Sequence, residues 1–159
     1  MSPLASHRYQ PYVLSCMDDI PQLGRLSEAR RLAMRALAHV LPFRTNSYVV
    51  DELIDWDDIP DDPIFQLTFP QPGMLEPADL AKVTSLVRAG ASTQQIRPVA
   101  DRIRLKLNPH PAGQLEHNVP RLDGTPLPGL QHKYKETVLF FPGRGQTCHA
   151  YCTYCFRWA

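Results

Sequence analysis

Three cysteines close together near the end of the printed sequence restrict most strongly what this chain can fold into. Cys148, Cys152 and Cys155 follow the pattern C-x-x-x-C-x-x-C and fall within eight positions, whereas Cys16 lies far away. Three thiolates on one loop can each bind one iron of a cubane cluster, which leaves the fourth iron without a protein ligand. The spacing therefore predicts an iron–sulfur site with one iron open to a further ligand.

Two other uses of these cysteines compete with the open cluster. Ferredoxin-type carriers close all four irons with cysteine, and structural zinc also takes four ligands, which His132 or His149 could complete here. A disulfide is less favoured, because three clustered thiols leave one unpaired. The N-terminal residues also lack a long apolar run, so we expect neither a signal peptide nor a membrane span, and we expect a cytoplasmic, reducing location.

Composition indicates an ordinary globular domain. Of 159 residues, 43% are hydrophobic and 21% are charged, and the formal net charge is +1. Such a balance gives no reason to expect nucleic acid or an anionic membrane as a partner.

Hydrophobic spacing and proline positions divide the chain into four parts. We predict an irregular arm over 1–22, a helical region over 23–107, a Pro/Gly-rich connector over 108–131 and a final unit over 132–159.

Within the helical region, apolar residues at i, i+3 and i+4 predict a long helix that Pro42 ends. Pro77, Gly90 and a Ser92–Gln95 capping box mark the ends of later helices, and we expect Pro98 to interrupt the last of these. The predicted helices run over about 23–41, 48–56, 77–88 and 99–107, with a strand or extended segment over 64–74.

Seven carboxylates lie between Asp51 and Asp62. They could form a cation site, but no spacing among them matches a calcium loop, so a solvated acidic turn is the favoured interpretation.

A continuous apolar run from Val138 to Phe141 predicts a strand buried on both faces, as in a parallel sheet. No later strand follows it in the printed sequence. We therefore expect an α/β fold, with a helical region followed by the first strand of a domain whose remainder is missing. The cysteine loop comes after this strand, at the edge where α/β barrels assemble their sites.

The cysteine pattern resembles the signature of the radical S-adenosylmethionine (SAM) enzymes. The flanking segments PLPGLQHKYKETVLFF and NSYVVDELIDWDDIPDDPIFQLTFPQPGM are similar to the lysine 2,3-aminomutase family, so the resemblance spans most of residues 45–159. It implies the first strand and cluster loop of a partial TIM-type barrel.

The resemblance also implies roles for individual residues. Cys148, Cys152 and Cys155 would bind a 4Fe-4S cluster, with SAM on the open iron. Tyr154 matches a position near the SAM adenine and ribose. Arg157 matches an arginine that holds the substrate carboxylate, for which a planar guanidinium is well shaped.

His132 and Tyr134 match an H-Y pair that precedes the strand, and we expect them to be structural. The segment FPGRGQT and the terminal WA depart from typical lysine aminomutases, which leaves the amino-acid substrate open.

In this family, reductive cleavage of SAM gives a radical that starts a 2,3-amino shift on an amino acid such as lysine. A flavodoxin or ferredoxin would supply the electron, and a homo-oligomer is also considered. Pyridoxal phosphate is a further cofactor of the family, but no lysine here matches the one that binds it, so its use stays open. Because one barrel strand cannot enclose SAM, we expect this chain alone to be inactive. The alternatives are a non-catalytic zinc- or iron–sulfur-binding module and a degenerate relative that serves as an interaction domain.

Overall fold

The computed structural model describes residues 9–107, 118–140 and 150–151. Four α-helices of the described residues are α1 (Glu28–Val40), α2 (Pro63–Thr68), α3 (Pro77–Arg88) and α4 (Thr93–Leu107). Three short 3-10 helices (Leu14–Asp19, Pro21–Arg25 and Pro72–Met74) and one π-helix (Val49–Leu53) lie between or before them.

Three two-stranded antiparallel sheets accompany the helices in the described ranges. Strand β1 (Pro11–Val13) pairs with β2 (Arg44–Asn46), β3 (Arg121–Leu122) with β4 (Thr125–Pro126), and β5 (Leu130–Tyr134) with β6 (Thr137–Phe140).

The N-terminal arm is more ordered than the sequence predicts. From residue 9 onward it contributes a strand and two 3-10 helices, and it buries Met17, Ile20 and Leu23. Because Pro21–Arg25 is occupied by a 3-10 helix, α1 begins at Glu28 rather than near residue 23. Its start is set by Ser27, whose hydroxyl accepts a hydrogen bond from the Arg30 N–H at 3.3 Å.

Helix α3 confirms the end signals that the sequence predicts. Pro77 stands in its first turn, and Gly90 adopts a φ of 71° just past its end. The Gly90 N–H bonds to the Val87 carbonyl and the Ala91 N–H to the Leu86 carbonyl, an arrangement that closes a helix C-terminus. The left-handed φ explains why a glycine stands there.

Two local predictions within the helical region were wrong. The segment expected to be extended forms α2, because the Asp62 carboxylate accepts the Phe65 N–H at 2.6 Å and Pro63 suits the first helical position. Pro98 does not interrupt α4. It lies on the exposed side, where solvent can reach the carbonyl that loses its partner, while Ile96 and Ala100 stay buried.

The apolar run near the cysteines forms a strand, as predicted. The predicted burial on both faces and the predicted parallel pairing were wrong. Strand β6 pairs antiparallel with β5, and Val138 and Phe140 are 44% and 71% exposed. The barrel stays a prediction. In the connector, residues 118–131 include the β3–β4 pair and residues 108–117 lie outside the described ranges.

Two apolar cores share helix α1. The first is aromatic: Phe65 and Phe69 stack with ring centroids 5.0 Å apart, and Trp56 meets both edge-on at 5.8 and 6.0 Å. The second fills the space among α1, α3 and α4 with Leu37, Val83 and other aliphatic side chains. No helix in the described ranges has the length and apolar character needed to cross a bilayer.

We expect Phe65→Ala to lower the free energy of unfolding by about 3–5 kcal/mol, because it opens a cavity beneath two aromatic rings. Phe65 is 0% exposed. Urea denaturation followed by tryptophan fluorescence measures the change. The control Phe140→Ala, at an exposed position, should stay within about 0.5 kcal/mol of the wild type. Equal effects of the two substitutions would contradict this description of the core.

Candidate metal centre

The residues predicted to form the metal centre lie mostly outside the described ranges. Cys148, Cys152 and Cys155 are among them, as are Tyr154 and Arg157. Their predicted roles stay predictions, as does the cluster geometry.

Within the cysteine motif, the structure does describe Ala150 and Tyr151, which stand between Cys148 and Cys152. The Tyr151 N–H donates to the Leu67 carbonyl at 2.7 Å, and its phenol O–H donates to the Pro42 carbonyl at 2.9 Å. Its ring packs against the aliphatic core. Burial raises the pKa of the Tyr151 phenol, so the group stays protonated and able to donate.

The two carbonyls that Tyr151 contacts lie at or just beyond the C-terminal end of a helix. Leu67 belongs to the last turn of α2, where carbonyls have no partner within the helix. Pro42 lies just beyond α1, directly after Leu41, which caps the helix C-terminus. Tyr151 therefore supplies donors where the helical region has acceptors to satisfy. Sequence reasoning missed this role, since nothing local to Tyr151 indicates partners so far away in the chain.

His132, one of the predicted zinc ligands, lies exposed on β5. Its backbone N–H bonds to the Asn118 carbonyl at 2.7 Å. His149 and the side chain of Tyr134 lie outside the described residues. Among described residues, no three His, Cys, Asp or Glu side chains stand together as a metal site.

The acidic segment uses several of its carboxylates to organise local backbone and surface contacts. Asp62 accepts the Asp55 N–H as well as the α2 N-terminus, and Asp57 pairs with Arg25 at 2.9 Å. The Asp51 carboxylate accepts a bond from the Gln22 amide. These contacts agree with the interpretation as an acidic turn.

Cys16 has a local structural role. Its sulfur accepts the Val13 N–H at 3.3 Å, at the start of a 3-10 helix. The thiol is free and belongs to the N-terminal arm.

An open groove of about 670 Å³ between α3 and α4 is a feature that the sequence did not predict. Asp79 is one of its lining residues and contacts Lys106 at 2.9 Å and Lys82 at 3.6 Å. Arg102 also lines it, together with apolar side chains that include Ile103. The hydrogen bond from Lys106 is the largest cause that lowers the pKa of Asp79, and it raises that of Lys106.

Comparison with known proteins adds no relative: no family model, no curated protein and no solved structure matches this chain.

We expect Asp79→Asn to weaken the acid dependence of folding stability. Because the folded state holds the pKa of Asp79 below its ordinary value of 3.8, the ionised carboxylate stabilises the fold above that value. This contribution is lost as the pH falls through the lowered pKa. Thermal midpoints measured from about pH 5 to pH 2 should therefore fall less steeply in the variant. Asp58→Asn, at an exposed turn position, is the control and should follow the wild type; parallel curves for all three proteins would refute the ion-pair assignment.

Proposed function

We propose that this chain carries the cluster-binding part of a radical SAM aminomutase-like isomerase that acts on an amino acid. The observation that supports the proposal most is the C-x-x-x-C-x-x-C spacing of Cys148, Cys152 and Cys155 after a strand. Three thiolates so close together satisfy three irons of a cubane cluster and leave one coordination position open.

The donor set fits this group. Thiolates are the soft ligands that iron–sulfur clusters take in proteins, and the three cysteines lie near the structured hairpin β5–β6 in sequence. When bound and reduced, the cluster would supply the electron that cleaves SAM and begins a 2,3-amino shift.

The chain's own residues then have three tasks in the proposed enzyme. The cysteines would hold the cluster, the Tyr154 ring would lie near the adenine and ribose of SAM, and the Arg157 guanidinium, whose planar shape suits a carboxylate, would bind the substrate carboxylate. A flavodoxin or ferredoxin is the proposed electron donor and the cytoplasm the proposed location. Pyridoxal phosphate would need a lysine from elsewhere, since Lys82, Lys106, Lys133 and Lys135 match no such position.

Anaerobic reconstitution with iron and sulfide tests the proposal. We expect about four irons per chain, a broad visible absorption that dithionite bleaches, and a change in the electron paramagnetic resonance spectrum of the reduced protein when SAM is added. Replacing any one of Cys148, Cys152 and Cys155 by Ala should abolish the absorption. Cys16→Ala is the matched control and should retain it, because Cys16 lies in the N-terminal arm.

Two results would overturn this proposal. Stoichiometric zinc with no visible band would identify a structural zinc module instead. A cluster whose spectrum does not respond to SAM would indicate irons that are all held by the protein's own side chains.

A further inference from the structure

We infer that Tyr151 is a positioning residue that fastens the cysteine loop to the helical region, through the Leu67 and Pro42 carbonyls. The two contacts join protein atoms alone, whereas their effect on a cluster rests on the proposed function. Tyr151 stands directly before Cys152 and three residues after Cys148.

Tyr151 donates two hydrogen bonds, one from its backbone and one from its side chain. The backbone N–H reaches Leu67 in α2 at 2.7 Å, and the phenol O–H reaches Pro42 beyond α1 at 2.9 Å. One bond holds the main chain and the other holds the tip of the side chain, so together they restrict both the position and the orientation of the residue. Hydrogen bonds with these lengths are well formed.

The ring between these two bonds adds apolar contact. It packs against the aliphatic core that α1, α3 and α4 share. A phenylalanine could reproduce this packing but could not donate to Pro42, which would then leave a carbonyl without that partner. The hydroxyl is therefore the part of Tyr151 that phenylalanine cannot replace, whereas the packing of the ring does not require tyrosine.

Chain connectivity transmits the restraint to the thiol that follows. Consecutive Cα atoms across a trans peptide are about 3.8 Å apart, so a fixed Tyr151 main chain limits where Cys152 can begin. A loop that is restrained before it binds metal loses less conformational entropy when it closes around the metal. We therefore expect release of Tyr151 to give Cys152 more conformational freedom, so that its thiol reacts faster and holds a cluster less firmly.

Alkylation in the metal-free state tests the anchor without relying on a cluster. The 159-residue chain is treated anaerobically with iodoacetamide, and the labelling rate of each cysteine is measured by peptide mass spectrometry. We expect Tyr151→Phe to raise the rate at Cys152 about fivefold, the factor that one ordinary hydrogen bond represents. Tyr151→Ala, which also removes the ring, should raise it further, while the rate at Cys16 stays constant.

Tyr48→Ala is the matched control, because Tyr48 is 60% exposed and stands outside both cores. It should leave the rate at Cys152 unchanged. In the iron-loaded protein, the rate of iron release to a chelator should rise in the same order, with Tyr151→Ala fastest and Tyr48→Ala like the wild type. The electron paramagnetic resonance spectrum should change only in the Tyr151 variants.

The outcomes separate the anchor from the proposed enzyme. Suppose that the Tyr151 variants are labelled faster at Cys152 alone and that the wild-type chain takes up no iron. This result supports the anchor and refutes the proposed function. Suppose instead that the chain takes up iron, and that labelling, iron release and spectra are all unchanged in both Tyr151 variants. This result refutes the anchor and leaves the proposed function standing. Faster labelling at Cys16 and Cys152 alike would mean general destabilisation, and it too refutes the anchor.

Discussion

The C-terminal end of α1 is the point on which the rest of the described structure depends, because side chains from two distant parts of the chain donate to carbonyl groups in its last turn and just beyond it. The last carbonyls of a helix have no partner within it. Here Arg104, from α4, donates to the His39 carbonyl at 2.7 Å and to the Val40 carbonyl at 2.6 Å. Tyr151 donates to Pro42 just beyond. A guanidinium suits this task, since its donors diverge in a fixed plane and its charge is favourable beside the negative end of the helix dipole.

Helix α1 can serve as this common support because it is buried on two sides. Met34 and Ala38 face the aromatic core, while Ala36, Leu37 and Val40 face the aliphatic one. A change at the end of α1 therefore reaches both cores. Nearby, burial first and the Arg104 charge second lower the pKa of His39, so His39 stays neutral to lower pH than a free imidazole. Its neutral form contributes stability above the ordinary histidine pKa, and this is lost as the pH falls through the lowered value.

The sequence predicts elements well where their signals are local. The capping pair Ser92–Gln95 forms as expected, with the Ser92 N–H bonded to the Gln95 side chain at 2.8 Å, and the ends of α3 stand where Pro77 and Gly90 indicate. Predictions fail where contacts with distant parts of the chain determine the burial or pairing of an element. The apolar content of Thr137–Phe140 correctly predicts a strand, but its exposed antiparallel pairing depends on the preceding hairpin segment, which periodicity does not reveal.

The same distinction between local and distant signals applies to the candidate site. Cysteine spacing is local, so it can propose a cluster and its ligands, but the support of the loop depends on a hydrogen bond between Tyr151 and Pro42, 109 residues apart. No pattern within the motif encodes that partner. If the loop does bind a cluster, linkage requires the effect to be mutual, because a metal that binds only the docked loop must also stabilise docking. Helical region and cluster loop would then stabilise one another through the two hydrogen bonds of Tyr151, one to α2 and one to the segment after α1.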